Sequence, residues 1–160
     1  MEINSSAFEN NGRIPEKYCD TGVNGGQNVS IPLSWANPPE GTKSFFLVIV
    51  DKHEIANNWL HWVVADIPAN ATGIPEGASN TDQMPAGSVE LTGTEGRKGY
   101  VGPQPPTGTG DHAYEAHLFA LNIEKFEQAG LPGNPTWEGL QVKLQPFTLE
   151  TVKTIGLFGK

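Results

Sequence analysis

Cysteine is nearly missing from this chain: Cys19 is the single one in 160 residues. No internal disulfide can form and no Cys-x-x-Cys redox or zinc motif exists, which points to a reducing, cytoplasmic setting. Cys19 itself reads as a small buried residue rather than a catalytic thiol. Positive charge is also scarce, with 10 Lys and Arg against 18 Asp and Glu and a formal net charge of -8. The basic residues are scattered, and no run exceeds Arg97-Lys98. Nucleic acids and anionic membrane surfaces are gripped by clustered Lys and Arg, so neither is expected as a partner. No stretch approaches the roughly 18 apolar residues of a transmembrane helix. The opening Met1-Glu2-Ile3-Asn4-Ser5-Ser6 lacks the basic and apolar regions of a secretory signal. Enzyme motifs are equally sparse. There is no Gly-x-Ser-x-Gly elbow and no phosphate-binding loop with its lysine. Gly108-Thr109-Gly110 lacks the further glycine and helix of a dinucleotide fingerprint. Asp51, His53, His61 and His112 could each ligate a metal, but they show no tight ligand spacing. The expectation is a protein without catalytic residues, cofactor or resident metal.

What the chain does have is enough hydrophobic material for one core: 37% of its residues, with four Trp and seven Phe. A single domain over residues 1–160 is expected. The 19 Gly and 13 Pro make the chain turn often, which suits short strands and long loops. Residues 29–35 alternate apolar and polar, with Pro32 favouring an edge or irregular strand. Phe45–Val50 is apolar on both faces, as in a central strand, and Leu60–Ala65 is similar. Tyr114–Leu121 is a fourth strand. Residues 68–111 read mostly as loop, with short pairing expected around Val89–Leu91. Helical signals come late. Residues 123–130 allow about two turns. Leu140, Leu144, Leu149, Val152 and Ile155 suggest helical faces interrupted at Pro146, with Thr148 capping the last helix.

Three segments carry candidate chemistry. Asp51 follows five apolar residues and emerges at the rim of a strand, either as a site carboxylate or as a loop acid bonding nearby amides. His61 interrupts an apolar strand, so its ring nitrogens need partners, either in the core or in a pocket wall with Trp59 or Trp62 as an apolar lining. The third segment, Gly99 to Tyr114, is the most specific. Its glycines let backbone approach a ligand and its prolines stiffen the loop, while His112 and Tyr114 leave it two apart on one strand face. His117 falls on the opposite face and reads as structural or solvent-facing.

Gly99-Tyr-Val-Gly-Pro-Gln-Pro-Pro-Thr-Gly-Thr-Gly-Asp-His-Ala-Tyr114 resembles the signature of the phosphatidylethanolamine-binding protein family. Leu60–Pro68 resembles that family's second motif, Phe46–Asp51 its first, and Ile31–Ser44 its opening. The likeness runs from about Phe8 to the C-terminus and is closest to the bacterial and archaeal branch. It implies a mainly β fold, an antiparallel β-sandwich with short peripheral and C-terminal helices. It also implies a pocket for phosphate-type anions, including phospholipid headgroups, formed by Asp51, His61, His112 and Tyr114, with Gln104, Pro105 and Pro106 as one wall. The chain departs from the family pattern twice. Asp-Pro-Asp-Ala-Pro is replaced by Asp51-Lys52-His53-Glu54-Ile55, and His-Arg-Tyr by His112-Ala113-Tyr114. The function expected is binding of a small anionic ligand in a regulatory role. The alternative is a protease or kinase inhibitor, or an interaction module, acting through surface loops.

Overall fold

The computed structural model describes residues 1–126 and 135–160. In chain order the strands are β1 (Glu2–Asn4), β2 (Gly12–Arg13), β3 (Leu33–Ala36), β4 (Ser44–Asp51), β5 (Trp59–Pro68), β6 (Gly73–Ile74), β7 (Val89–Glu90), β8 (His112–Leu121) and β9 (Thr148–Phe158). Helix α1 (Trp137–Leu144) precedes β9. The larger sheet has the order β2-β9-β8-β4-β5-β7, and the smaller has β1-β3-β6. All pairings in them are antiparallel except that of β2 with β9.

β4 is the axis of the molecule, flanked by β5 and β8, and all eight of its residues are buried. Its two faces serve two cores, because side chains alternate along a strand. Phe45, Leu47 and Ile49 join Leu33 and Trp35 of the small sheet in one cluster. Phe46, Val48 and Val50 join Trp137, Leu140 and Leu144 of α1 in the other. That double cover is why the strand is apolar throughout rather than alternating. The fold is the antiparallel sandwich expected.

Two local readings change. Residues 148–158 form a strand, not a helix. β9 is rich in the β-branched Thr151, Val152, Thr154 and Ile155. Its backbone is satisfied along its length by β8, from Leu121 opposite Thr148 to His112 opposite Phe158. Leu149, Val152 and Ile155 therefore do not lie on helical faces. Thr148 caps no helix N-terminus; its hydroxyl donates to the Leu144 carbonyl at 2.8 Å. The helix that does form ends before Pro146 and is capped by Thr136, whose hydroxyl oxygen accepts from the Gly139 amide. The strand signal at residues 29–35 is realised only from Leu33, since Pro32 has no N–H for a ladder. The short pairing near Val89 is β7 on β5. The helix expected over residues 123–130 extends outside the described residues.

Candidate functional site

β4 and β8 bring the site together. Asp51, at the end of β4, lies opposite Tyr114 in register with β8 and opposite Trp59 in register with β5. His112 and Tyr114 share a face of β8, and His61 stands on β5 two residues beyond Trp59. The Gly/Pro loop then folds over them. Its Val101 amide donates to the His61 carbonyl at 2.9 Å, and the Val101 carbonyl lies 2.7 Å from His61 Nδ1. Gly102 lets this loop pass against residues 18–20: a Cβ there would stand 2.3 Å from the Tyr18 carbonyl oxygen and 2.5 Å from the Asp20 amide nitrogen.

The result is a cavity of about 420 Å³ lined by all seven predicted residues, Asp51, His61, Gln104, Pro105, Pro106, His112 and Tyr114. Asp20, Glu95, Ile55, Ala56 and Trp59 also line it. Of these the sequence points only to Trp59, with Trp62 as the other choice; Trp62 is instead sealed in the core. Ile55 carries a belated signal, as a large apolar residue left exposed at the cavity's edge. Asp20 and Glu95 arrive from distant loops, with nothing in their sequence neighbourhood to mark them.

Asp51 and His112 form a buried pair, with His112 Nδ1 2.7 Å from one carboxylate oxygen. The other carboxylate oxygen accepts from the His53 amide at 2.9 Å. The far side of the His112 ring, Nε2, lies 2.9 Å from the Thr109 hydroxyl, which also lies 2.8 Å from the Pro106 carbonyl. The His53 ring stacks on His112, with centroids 3.9 Å apart and planes 9° from parallel. Every polar atom of this pair is thus occupied by the protein.

His61 and Tyr114 differ. Their rings meet edge to face at 5.0 Å. Burial is the main force lowering the His61 pKa, and it outweighs the opposing pull of the Val101 carbonyl, Asp51 and Glu95. Burial, followed by the Asp51 charge, raises the Tyr114 pKa and keeps the phenol protonated. His61 Nδ1 must carry a proton, because a carbonyl only accepts. Among the described residues no side-chain polar atom is both buried and unpaired. His61 Nε2 has no partner there, so it opens on the cavity. No Lys or Arg lines the cavity, whereas Asp20, Asp51 and Glu95 do. Arg97 stands outside the lining, 3.3 Å from Asp20 and 2.7 Å from Glu95. His117, on the opposite face, bonds Glu115 at 2.7 Å and packs on Trp137, in keeping with a structural role.

A family model described as phosphatidylethanolamine-binding protein matches residues 4–159. A UPF0098 protein of Methanothermobacter thermautotrophicus is 35% identical over 159 residues, 99% of this chain and 98% of that one. A UPF0098 protein of Aquifex aeolicus is also 35% identical, over 99% of this chain and 88% of that one. The crystal structure of Escherichia coli YbcL, described as a new member of the mammalian PEBP family, superposes with a TM-score of 0.87 at 26% identity. That match covers 99% of this chain and 98% of YbcL. The chain belongs to the phosphatidylethanolamine-binding protein family.

Proposed function

We propose that the protein binds a small phosphate-type anion, as inorganic phosphate or as the phosphate of a larger molecule, and holds it without chemical turnover. The observation that carries this reading is the convergence of His61, His112 and Tyr114, each buried, on one cavity of about 420 Å³. Tyr114 supplies an O–H donor. Asp51 fixes the His112 ring so that its Nε2 points at an oxygen, presently that of Thr109. The Thr109 hydroxyl donates to the Pro106 carbonyl, so its oxygen accepts from His112 Nε2–H, and an anion oxygen that takes its place receives a stronger hydrogen bond than a neutral one does. Pro105, Pro106 and the apolar edge at Ile55 and Trp59 give the rest of the ligand a surface that needs no hydrogen bonds. A nucleophile poised for covalent chemistry is not needed by any of these contacts.

The test is an NMR titration of the histidine side chains with inorganic phosphate and with phosphoethanolamine. Saturable, joint movement of His61 and His112, with His117 still, is the expected result. If neither ligand moves His61 or His112, the anion reading fails, and an inhibitor or interaction role through the surface loops takes its place.

A further inference from the structure

Hydrogen-bond accounting at the cavity floor constrains the ligand's own protonation state. His61 is 6% exposed and its Nδ1–H is committed to the Val101 carbonyl. In a neutral ring the remaining nitrogen, Nε2, is a lone pair and can only accept. Tyr114, 4% exposed and edge-on to His61, can donate. The floor therefore presents one acceptor beside one donor. A fully ionised oxyanion has nothing to give the acceptor and would set a lone pair against a lone pair. An oxyanion carrying one O–H satisfies both.

The charges around His61 point the same way. Asp51 faces it from β4, Glu95 from the loop after β7, and His112 from β8; Asp20 completes the lining from the N-terminal region. Three carboxylates and no Lys or Arg line the site, and the His112 ring is already paired with Asp51, so a second negative charge on the ligand meets no unpaired cation in the lining. Burial of His61 lowers its pKa despite Asp51 and Glu95, which resists the other way out, protonating the ring to make a donor.

We propose that the pocket takes its anion with a proton attached, the ligand O–H donating to His61 Nε2, and so selects phosphomonoesters and inorganic phosphate over phosphodiesters. This rests on the anion-binding reading above and adds to it the class of ligand. A phosphomonoester has its second pKa at about 6, so at neutral pH it is mostly a dianion that gains the proton cheaply. Balance then requires each monoester dianion to enter with one proton taken from solvent, held between the anion oxygen and His61 Nε2; the inorganic phosphate dianion already carries one O–H and enters as it is. A phosphodiester, the form found within an intact phospholipid, has no such second site.

The experiment is isothermal titration calorimetry of the wild-type protein with inorganic phosphate, phosphoethanolamine and glycerophosphoethanolamine. Buffers of different ionisation enthalpy report the proton count. Well above its second pKa of about 6, phosphoethanolamine is expected to bind with uptake of about one proton, whereas inorganic phosphate, whose dianion already carries one O–H, needs none. The affinity for phosphoethanolamine falls by about tenfold for each further pH unit. The diester is expected to bind at least about tenfold more weakly, one hydrogen bond's worth of affinity. His61→Gln, whose amide can both donate and accept, should abolish the proton uptake and narrow the monoester preference. Should that variant not fold, the wild-type proton count decides alone. Phosphoethanolamine binding with no proton uptake, or a diester bound as tightly as a monoester, overturns this inference and leaves the anion site standing. No binding by any of the three overturns both.

Discussion

Thr109 occupies the place where a ligand oxygen would meet His112, so removing its hydroxyl should tighten anion binding. The hydroxyl is 2.9 Å from His112 Nε2 and 2.8 Å from the Pro106 carbonyl, and its single proton can serve only one of them. Whichever way it points, an anion reaching His112 Nε2 must first displace it. A hydrogen bond of this kind is worth about 0.5–1.5 kcal/mol net. In Thr109→Ala that cost disappears, and at about 1.4 kcal/mol per tenfold the variant should bind phosphate about two- to twelvefold more tightly. The loop should keep its shape. Thr109 is half-exposed, so truncation leaves no sealed cavity. The Gly108 amide remains anchored to the Lys160 carbonyl at 2.8 Å. Gly108 and Gly110, at φ of 84° and 81°, keep the turn that only glycine adopts readily. The assay is calorimetric titration with inorganic phosphate at fixed pH for wild type, Thr109→Ala and Thr109→Ser. The serine variant retains the hydroxyl and should match wild type. If Thr109→Ala binds as wild type does, or more weakly, the hydroxyl is no obstacle and the geometry around His112 has been misread.

Two further outcomes follow from the buried titratable groups. The pKa values of His61 and His117 are both held down mainly by burial, so below the ordinary value of 6.5 the unfolded chain binds more protons than the folded one. Their contribution to stability is complete above that value and is lost as the pH falls toward their folded pKa values. Urea midpoints should therefore drop between about pH 7 and pH 5, and a flat profile would refute the burial argument. The Cys19 thiol is fully buried and is pushed up to about 12, by burial first and by the Glu16 charge second. A disulfide reagent at mildly alkaline pH should find no reactive thiol in the native protein and one after unfolding; rapid native labelling would contradict this.

The parts of this molecule legible in its sequence are those where one local cause dominates. Phe45–Val50 reads as a central strand because six apolar residues in a row have to be covered on both faces, and the two cores cover them. His112 and Tyr114 read as site residues because a stiff Gly/Pro loop delivers them two apart on one strand face. β9 was illegible for the opposite reason. Its leucine, valine and isoleucine positions match a helical face about as well as a strand, and the deciding influence is β8, close in space but far along the chain. The acids at Asp20 and Glu95 were hidden likewise, since loops far apart in sequence bring them to one cavity. Gly102 is the hinge of that arrangement, and its reason for being glycine lies in Tyr18 and Asp20.

The segment that departs from the family pattern shows how the site tolerates a changed rim. Lys52 to Ile55 has lost two prolines that would stiffen the path from Asp51 to β5. Here the path is fixed by other means. The His53 amide donates to Asp51 at 2.9 Å, and Glu54–Ala56 make a single 3₁₀ turn. Asn57 and Asn58 then reverse the chain with φ of 50° and 57°, a conformation that asparagine tolerates better than most residues. His53 also lays its ring on His112, taking up a face that would otherwise need another cover. Ile55 and Ala56 reach the cavity edge, so the changed segment still presents apolar surface there and leaves the Asp51–His112 pair in place. The acidic lining has a corresponding logic. In a chain of net charge -8, a pocket lined with carboxylates and without lysine or arginine cannot attract anions by bulk electrostatics. On the proposed anion-binding reading, selection falls to a few buried donors and one acceptor, a geometry that favours a small, singly charged anion over a polyanion.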